Sequence, residues 1–189
     1  DTTDLAELEI IERTEATPLS DWPIIRVSAV DGTGLDALEE ALIGQLNAAG
    51  APGDSDNPRL WIDRAFHISG AGLVVTGTLT EGSLSADDEL VLWPERAPVR
   101  IRGLHHHDQP VDRVGAGARC AVNISGSDSA ERGMLLAGPR NVATTTRLLG
   151  TFRPVRSIDD ELTARGAYHL HLGTGSWPVR LRIIAPDLC

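Results

Sequence analysis

The stretch RAFHISGAGLVVTGTL, residues 64–79, contains three glycines, as a loop that binds phosphate could. Such loops hold phosphate oxygens with backbone N–H groups at the start of a helix. Here Gly70 and Gly72 are followed by Leu-Val-Val-Thr before Gly77, and β-branched residues favour a strand. The chain also contains no lysine, which a nucleoside-triphosphate loop requires. The glycines therefore predict bends in a β-sheet and not a phosphate site.

Five histidines form two close groups that could bind a metal. His105, His106 and His107 are consecutive, and His169 and His171 are two residues apart, so alternate members share one face of a strand. Zinc requires three or four converging ligands, and no cysteine or carboxylate pattern completes either group. We therefore predict that these histidines lie in turns and on exposed strand faces, and that the chain has no metal site.

Asp63 and Arg64 are adjacent charged residues, and Arg119 lies far from them in the sequence, but the three could meet in a closed barrel. In RCAVNI, residues 119–124, the alternation predicts that Arg119 faces outward while Cys120 faces the core. The residue types alone leave two alternatives open. The three side chains could form ordinary ion pairs at the rim of a barrel, or they could bind an anion together.

The elements that must position these residues change character at Pro58. Before it, residues 4–16 and 35–46 carry apolar side chains at helical spacing, and PIIRVSAV, residues 23–30, predicts a strand buried on both faces. After it, ELVLW, VRIRGL, RCAVNI, YHLHL and VRLRII predict short strands separated by turns. This pattern is typical of antiparallel barrels. We predict a mainly β chain in which an α/β remnant precedes a small antiparallel β-barrel and a further β-rich module follows it.

Charge separates the same two parts of the chain. Residues 1–58 contain 13 acidic residues and 2 arginines, whereas residues 59–189 contain 14 and 15, so their net charges are −11 and +1. The first part is therefore unsuited to broad electrostatic binding of nucleic acid, while the second can hold local basic patches.

Two cysteines are too few for a disulfide framework, and no apolar run is long enough to cross a bilayer. We expect a cytoplasmic protein without membrane contact.

The stretches LWIDRAFHISGAGLVVTGTLTEGSLSADDELVLWP, VRIRGLHHHDQPVDRVGAGARCAVNISG and RGMLL resemble the second domain of translational GTPases related to elongation factor Tu. IDRAF, RIRGLHHHDQPV and AVNISG are most similar to the selenocysteine-specific elongation factors. HLHLGTGSWPVRLR resembles the opening strands of that family's third domain, and VSAVDGTGL resembles its last guanine-recognition motif. The resemblance implies the C-terminal part of a GTPase domain (1–50), a linker (51–58), β-barrel domain II (59–140) and a truncated β-barrel domain III (141–189).

The resemblance also implies two binding sites. In the family, selenocysteine is held by an Asp-Arg pair before the hairpin and by a second arginine on a later strand, and the matching positions here are Asp63, Arg64 and Arg119. The backbone that contacts guanine matches Ser28 and Ala29. A selenol is a stronger acid than a thiol and is largely an anion at neutral pH, whereas serine is neutral. Arginines can therefore distinguish the two by charge-assisted hydrogen bonds.

The implied parent factor binds GTP and Mg²⁺, delivers selenocysteyl-tRNA to the ribosome, and reads the selenoprotein messenger hairpin through a C-terminal region that this sequence lacks. The chain also lacks the G-x-x-x-x-G-K-[ST] and N/T-K-x-D motifs. We therefore expect part of a larger, monomeric factor that needs no cofactor and has no GTPase activity on its own. Another tRNA-binding translational GTPase and a stand-alone β-barrel interaction module are the alternatives. The Asp-Arg pair with Arg119 argues against the first, and the helical remnant argues against the second.

Overall fold

The computed structural model describes residues 2–15, 17–50, 55–140, 142–152, 163 and 165–184. They belong to two compact units, one within residues 1–51 and one that contains the described residues from 55 onward. Strands outnumber helices, as the alternating pattern after Pro58 predicts. Neither helix in the described ranges has the length and apolar content that crossing a bilayer requires.

Two helices form the regular structure of the first unit. They are α1 (Thr2–Thr14) and α2 (Leu35–Ala48), which confirms the helical spacing found in both segments. Neither helix buries a side chain among the described residues. Leu8 of α1 is 60% exposed and Leu46 of α2 is 73% exposed. Both helices therefore have the apolar faces that the sequence predicts, but no other part of this unit buries those faces among the described residues.

The strand predicted over residues 23–30 is wrong. Residues 23–28 form no ladder and residues 29–30 belong to a turn. Ile24 is 37% exposed and Val27 is 48% exposed, so the segment is not buried on both faces. A strand needs a neighbouring strand to pair its backbone N–H and C=O groups. The described part of the first unit contains no such neighbour.

The second unit is built from antiparallel strands. Those before residue 138 are β1 (Arg59–Ile68), β2 (Gly72–Glu81), β3 (Ser83–Ser85), β4 (Glu89–Trp93), β5 (Ala97–His106), β6 (Gln109–Val111), β7 (Arg113–Gly115), β8 (Arg119–Ser125) and β9 (Leu135–Ala137). The large sheet has the order β4-β9-β1-β2-β8-β5-β6, and β4 also pairs with β5. Strand β4 stands at one end of this order and β5 lies near the other end, so their pairing closes the sheet into a barrel. The predicted fold class is thereby confirmed.

The interior of the barrel is filled by one side of each strand. No polar or charged side chain is buried among the described residues, so the core is entirely apolar. Burial of this kind stabilises a fold by about 1.5–3 kcal/mol for each large side chain. The largest fully buried side chains are Leu60, Ile62, Leu79, Leu84, Leu92, Ile101, Leu104, Ile124, Leu136, Val75 and Val122.

A smaller apolar cluster lies on the opposite face of β1, β4 and β9. Its members alternate with the core residues of the same strands, which places them outside the barrel. Trp93, Leu135 and Ala137 are buried there, and Trp61 packs against them. We call Trp61, Val91, Trp93, Leu135, Ala137 and Val142 the outer cluster.

A separate hairpin follows the barrel. It consists of β10 (Tyr168–Leu172) and β11 (Gly175–Val179), which pair antiparallel. The strand predicted from YHLHL is confirmed, whereas the strand predicted over residues 179–184 is wrong, because β11 ends at Val179. Val179 pairs with Tyr168, the first residue of β10, so residues 180–184 extend past their only neighbour and have no ladder partner among the described residues.

Candidate functional site

Strand β1 contains a β-bulge at Asp63. Ile62 pairs with Gly77 of β2, whereas Arg64 pairs with Thr76, the adjacent residue of that strand, so Asp63 has no partner of its own. A bulge of this type opposes two residues to one and changes the direction of the side chains that follow it. Arg64 is exposed and Asp63 is half-buried. The local folding of β1 therefore presents the Asp-Arg pair on the outside of the barrel.

Gly77 permits the close approach of the strands at this bulge. A Cβ at position 77 would lie 2.2 Å from the carbonyl oxygen of Trp61 and 2.7 Å from Cδ2 of Leu60. Only glycine fits without displacement of the backbone. Gly70 and Gly72, in contrast, have φ of 82° and 90° at the connection between β1 and β2. All three glycines thus serve the geometry of the sheet, as their sequence context predicts.

Asp63 is bonded on both of its carboxylate oxygens. Thr76 donates its hydroxyl to Oδ1 at 2.6 Å, while Nε and Nη2 of Arg119 donate to Oδ2 at 3.1 and 2.9 Å. The Asp63 side chain is 20% exposed and that of Arg119 is 60% exposed. A partly covered carboxylate therefore holds an accessible guanidinium in one orientation. We call Asp63, Arg64, Thr76 and Arg119 the Asp63 site.

Strands β2 and β8 bring these residues together. Thr78 of β2 pairs with Arg119 of β8, two residues from Thr76. Along β8, Cys120, Val122 and Ile124 are buried while Arg119 is exposed, which confirms the outward direction predicted for Arg119. The pairing of β1 with β2 and of β2 with β8 therefore brings Arg119 to Asp63, although the two residues lie 56 positions apart in the sequence.

The Asp63 site keeps its carboxylate ionised. Burial is the largest influence on the Asp63 pKa and raises it, but the hydrogen bonds from Thr76 and Arg119, together with the charges of Arg119 and Arg64, outweigh burial and lower the pKa overall. At neutral pH one carboxylate therefore faces two guanidinium groups. The formal charge of the three side chains is +1, which suits a ligand with one negative charge.

Arg119 retains hydrogen-bonding capacity for such a ligand. A guanidinium has five N–H donors and remains protonated in proteins. Asp63 takes up two of them, from Nε and Nη2, and within the described part of the chain no acceptor is seen for the others. Charge-assisted donors of this kind hold anions more strongly than neutral donors do.

Sequence reasoning missed Thr76, a member of the Asp63 site, and His106, which contacts the backbone of Arg119. Thr76 carries no sequence signal beyond the alternation of its strand. His106 lies opposite Cys120, and its Nδ1 is 2.9 Å from the carbonyl oxygen of Arg119. His106 is half-buried, while His105 is exposed and His107 lies in the turn with φ of 50°, so the predicted positions hold for His105 and His107. The register between β5 and β8, which the sequence does not reveal, determines the contact of His106.

The absence of a metal at these histidines stays a prediction. Within the described ranges, no three side chains of His, Cys, Asp or Glu converge as ligands would. His169 contacts the Ser176 hydroxyl through Nδ1 at 3.2 Å, and its ring centroid lies 6.5 Å from that of His171.

Cys120 stands next to Arg119 in the sequence but faces the opposite way. Its side chain lies in the core of the barrel and is 3% exposed. Burial raises the pKa of this thiol to about 11.

Ser28 and Ala29 belong to the first unit and not to the body that carries the Asp63 site. The Ser28 N–H donates to the Thr33 carbonyl at 2.9 Å, and its carbonyl accepts from the Gly32 N–H at 2.9 Å. These bonds form a tight turn that leaves Ala29 exposed. Gly34 closes the turn, with φ of 75° and a Cβ position 2.0 Å from the carbonyl oxygen of Arg26. The guanine-contacting role of Ser28 and Ala29 stays a prediction.

The sequence is related to known translation factors. Residues 72–137 match the family profile of elongation factor Tu domain 2. The chain is 37% identical over 137 residues to the selenocysteine-specific elongation factor of Escherichia coli (strain K12), a match that covers 70% of this chain and 22% of the relative. It is 36% identical over 155 residues to that of Desulfomicrobium baculatum, which covers 80% of this chain and 24% of the relative.

A solved structure has a similar fold. The translation elongation factor SelB from Methanococcus maripaludis, in complex with the GTP analogue GppNHp, is similar with a TM-score of 0.80 and 28% identity over 94% of this chain and 41% of that chain. The chain thus spans between about a fifth and two fifths of the length of these proteins. On this combined evidence of sequence and fold, the chain belongs to the selenocysteine-specific elongation factors, and its barrel is an elongation factor Tu domain 2.

Proposed function

We propose that the Asp63 site binds the selenolate of selenocysteyl-tRNA within a GTP-dependent factor that delivers this tRNA to the ribosome. The observation that carries the proposal is the row of hydrogen-bonded side chains Thr76–Asp63–Arg119, with the charge of Arg64 beside Asp63. This arrangement orients an exposed guanidinium on the outer face of the barrel and has a formal charge of +1. It offers a place for one anionic side chain.

Charge explains how this site would distinguish selenocysteine from serine. A charge-assisted hydrogen bond contributes about 1.5–3 kcal/mol, and Arg64 and Arg119 can each donate to a selenolate. A seryl group is neutral and would leave the excess positive charge of the site without a ligand anion. A preference of about 10²- to 10⁴-fold for the selenocysteyl end is therefore within reach.

An ordinary surface ion pair lacks the features of this site. Arg100 and Asp87 also form an ion pair, at 3.0 Å, with 58% of the Arg100 side chain and 76% of the Asp87 side chain exposed. Arg119 is equally exposed, but its partner Asp63 is only 20% exposed and is also bonded to Thr76. Arg119 is thus held by a carboxylate that is itself fixed by Thr76. This arrangement favours a ligand-binding role over that of a solvated ion pair.

The test is the Arg119→Ala substitution in the full-length factor. We measure the dissociation constants of selenocysteyl-tRNA and seryl-tRNA in the GTP-bound state. The preference for selenocysteyl-tRNA should fall by about 10- to 100-fold, because one charge-assisted contact is lost. Arg100→Ala is the matched control, since it removes an equally exposed arginine from an ion pair on β5.

The outcomes separate the alternatives. Loss of the preference in Arg119→Ala, with an unchanged preference in Arg100→Ala, supports the proposed pocket. An unchanged preference in Arg119→Ala would contradict it. Equal binding of both tRNAs by the wild-type factor would instead indicate another tRNA-binding translational GTPase.

The other functional expectations belong to the same proposal. The backbone at Ser28 and Ala29 would contact guanine when GTP and Mg²⁺ are bound by the larger protein, and residues 1–50, 59–140 and 141–189 would belong to its GTPase domain, domain II and domain III. The chain itself would supply binding surface and no catalytic residue. The messenger hairpin would be bound elsewhere in the factor, which would act as a cytoplasmic monomer.

A further inference from the structure

The turn of the β10–β11 hairpin lies against the barrel. Leu172 pairs with Gly175, so Gly173 and Thr174 form a two-residue loop, and Gly173 has φ of 56°. Glycine in the left-handed region at the first loop position is typical of a type II′ turn. A Cβ on Gly173 would lie 2.1 Å from Cδ2 of Trp61, so the backbone of this turn rests directly on the indole ring. The hairpin thus contacts β1 through the outer cluster.

Thr174 bonds to the barrel backbone immediately before the bulge. Its hydroxyl donates to the Ile62 carbonyl at 2.5 Å and accepts from the Gly133 N–H at 3.2 Å. The Gly133 N–H also donates to the Ile62 carbonyl at 3.0 Å. Arg132 holds the turn from the other side, because its Nε donates to the Thr174 carbonyl at 3.0 Å.

The carbonyl that Thr174 contacts belongs to the peptide unit between Ile62 and Asp63. The orientation of this peptide determines where the bulge places the Asp63 side chain. On the opposite strand, Gly77 sets the distance between β2 and β1 at the same position. The bulge is therefore confined by Gly77 within the barrel and by Thr174 from the hairpin.

We infer that Thr174 is a positioning residue for Asp63, so that the β10–β11 hairpin fixes the orientation of the Asp63–Arg119 pair through the Ile62 carbonyl. A displacement of the hairpin would remove one of the two hydrogen bonds on this carbonyl, leaving only that from the Gly133 N–H, and would loosen the carboxylate that holds Arg119. The effect of Thr174 on the orientation of Asp63 and Arg119 does not depend on any ligand. An effect of Thr174 on the choice between selenocysteine and serine rests on the proposed function.

The experiment compares Thr174→Val with the wild-type chain by NMR of the arginine side chains. Valine keeps the shape of threonine but removes the hydroxyl that bonds to Ile62 and Gly133. We measure hydrogen exchange at Nε–H of Arg119, which donates to Asp63. Exchange should become about fivefold faster, as expected when an ordered hydrogen bond opens more often.

Two variants serve as controls for this measurement. Thr174→Ser retains the hydroxyl and should restore wild-type exchange. Thr80→Val removes another threonine hydroxyl that donates to a β1 carbonyl, that of Arg59 at 3.0 Å, at the register shift between Arg59 and Leu60 and not at the Asp63 bulge. Exchange at Arg119 should stay unchanged in Thr80→Val. Equal acceleration in both valine variants would overturn the inference, because it would reflect general loosening of β1.

A further variant keeps the inference testable if Thr174→Val does not fold. Arg132→Gln removes the Nε bond to the turn from an exposed position, so the barrel core is not disturbed. It should accelerate Arg119 exchange in the same direction but by a smaller factor. Unchanged exchange in every folded variant that weakens the turn would overturn the inference, even if the Asp63 site binds selenocysteyl-tRNA. Loss of tRNA discrimination in Arg119→Ala tests the proposed function separately.

Discussion

Asp63 is bonded more completely than Asp87, another carboxylate of the barrel surface. It accepts from Thr76 on one oxygen and from Arg119 on the other, and its side chain is only 20% exposed. The more exposed Asp87 bonds to Arg100 in a comparable pair. Asp63 lies at the bulge beside Arg64, the residue that pairs with Thr76, so the Thr76 hydroxyl is within reach of its carboxylate.

The stability of the barrel should depend on pH through Asp63. Because its folded pKa is lowered, ionised Asp63 stabilises the fold above the ordinary carboxyl pKa, and this stabilisation is lost as the pH falls through the folded pKa. Asp63→Asn should therefore lower the free energy of unfolding by about 1 kcal/mol at pH 7. The difference from wild type should shrink below about pH 4. Urea unfolding of both proteins across pH 3–7 measures it.

Asp87→Asn is the matched control for this pH dependence. Its ion pair is exposed on both sides, so its removal should change the free energy of unfolding by at most about 0.5 kcal/mol at any pH. A difference between wild type and Asp63→Asn that stays constant from pH 7 to pH 3 would contradict the role given to the Asp63 charge.

Strand β1 combines two functions along its length. Its first half lines the core with Leu60 and Ile62, whereas the bulge directs its second half to present Asp63 and Arg64 outside. The hairpin turn and β2 act on this strand from different sides, through Thr174 and Gly77. The site therefore depends on strand geometry as much as on its charged residues.

Gly77→Ala should be the most disruptive conservative substitution in this region. The added methyl group would lie 2.2 Å from the Trp61 carbonyl, so β1 and β2 would have to separate at the bulge. We expect a loss of about 1–3 kcal/mol in the free energy of unfolding, measured by chemical denaturation. Gly103→Ala adds the same methyl group to a barrel strand where no atom lies within 4 Å, and it should change stability by at most about 0.5 kcal/mol. Equal losses in the two variants would show that Gly77 is not specifically required.

The longer strands of the barrel could be predicted from the sequence because buried and outward residues alternate along them. In β8, for example, Cys120, Val122 and Ile124 alternate with outward residues, and the structure has the same pattern. The two strands predicted wrongly, at residues 23–30 and 179–184, have suitable composition but no neighbouring strand among the described residues. Composition indicates which segments favour an extended conformation, but a β-strand also requires a neighbouring strand for its hydrogen bonds.

Asp63, Arg64 and Arg119 could be identified by resemblance, but their contacts could not. The sequence places Asp63 and Arg119 on different strands and gives no register between them. Thr76 and His106 were missed for the same reason, since a register shift of one residue reverses the face of every side chain.

The two units of the molecule differ in how they bury apolar surface. The barrel contains a continuous apolar core, whereas α1 and α2 have no buried side chain among their described residues. Short helices without packing are marginally stable in water. The stability of the chain is therefore concentrated in the barrel.

Hydrogen exchange should reveal this difference directly. Amides of α1 and α2 should exchange about 10²-fold faster or more than those of β2 and β8, because local opening of unpacked helices costs little free energy. Mass spectrometry of peptides from the intact chain measures both sets in one experiment. Protection of α2 equal to that of β8 would contradict the expectation and would show that the helices are stabilised by packing.

The inward direction of Cys120 has a consequence for redox chemistry beside the Asp63 site. A selenolate is a soft nucleophile that readily forms a selenium–sulfur bond with an oxidised thiol. Cys120 is adjacent to Arg119, yet its sulfur lies in the core and burial raises its pKa to about 11, so it remains a protonated, shielded thiol. If the site holds selenocysteine, the barrel wall thus separates the amino acid from the nearest sulfur in the sequence, and the cargo can be carried without being trapped as a selenenyl sulfide.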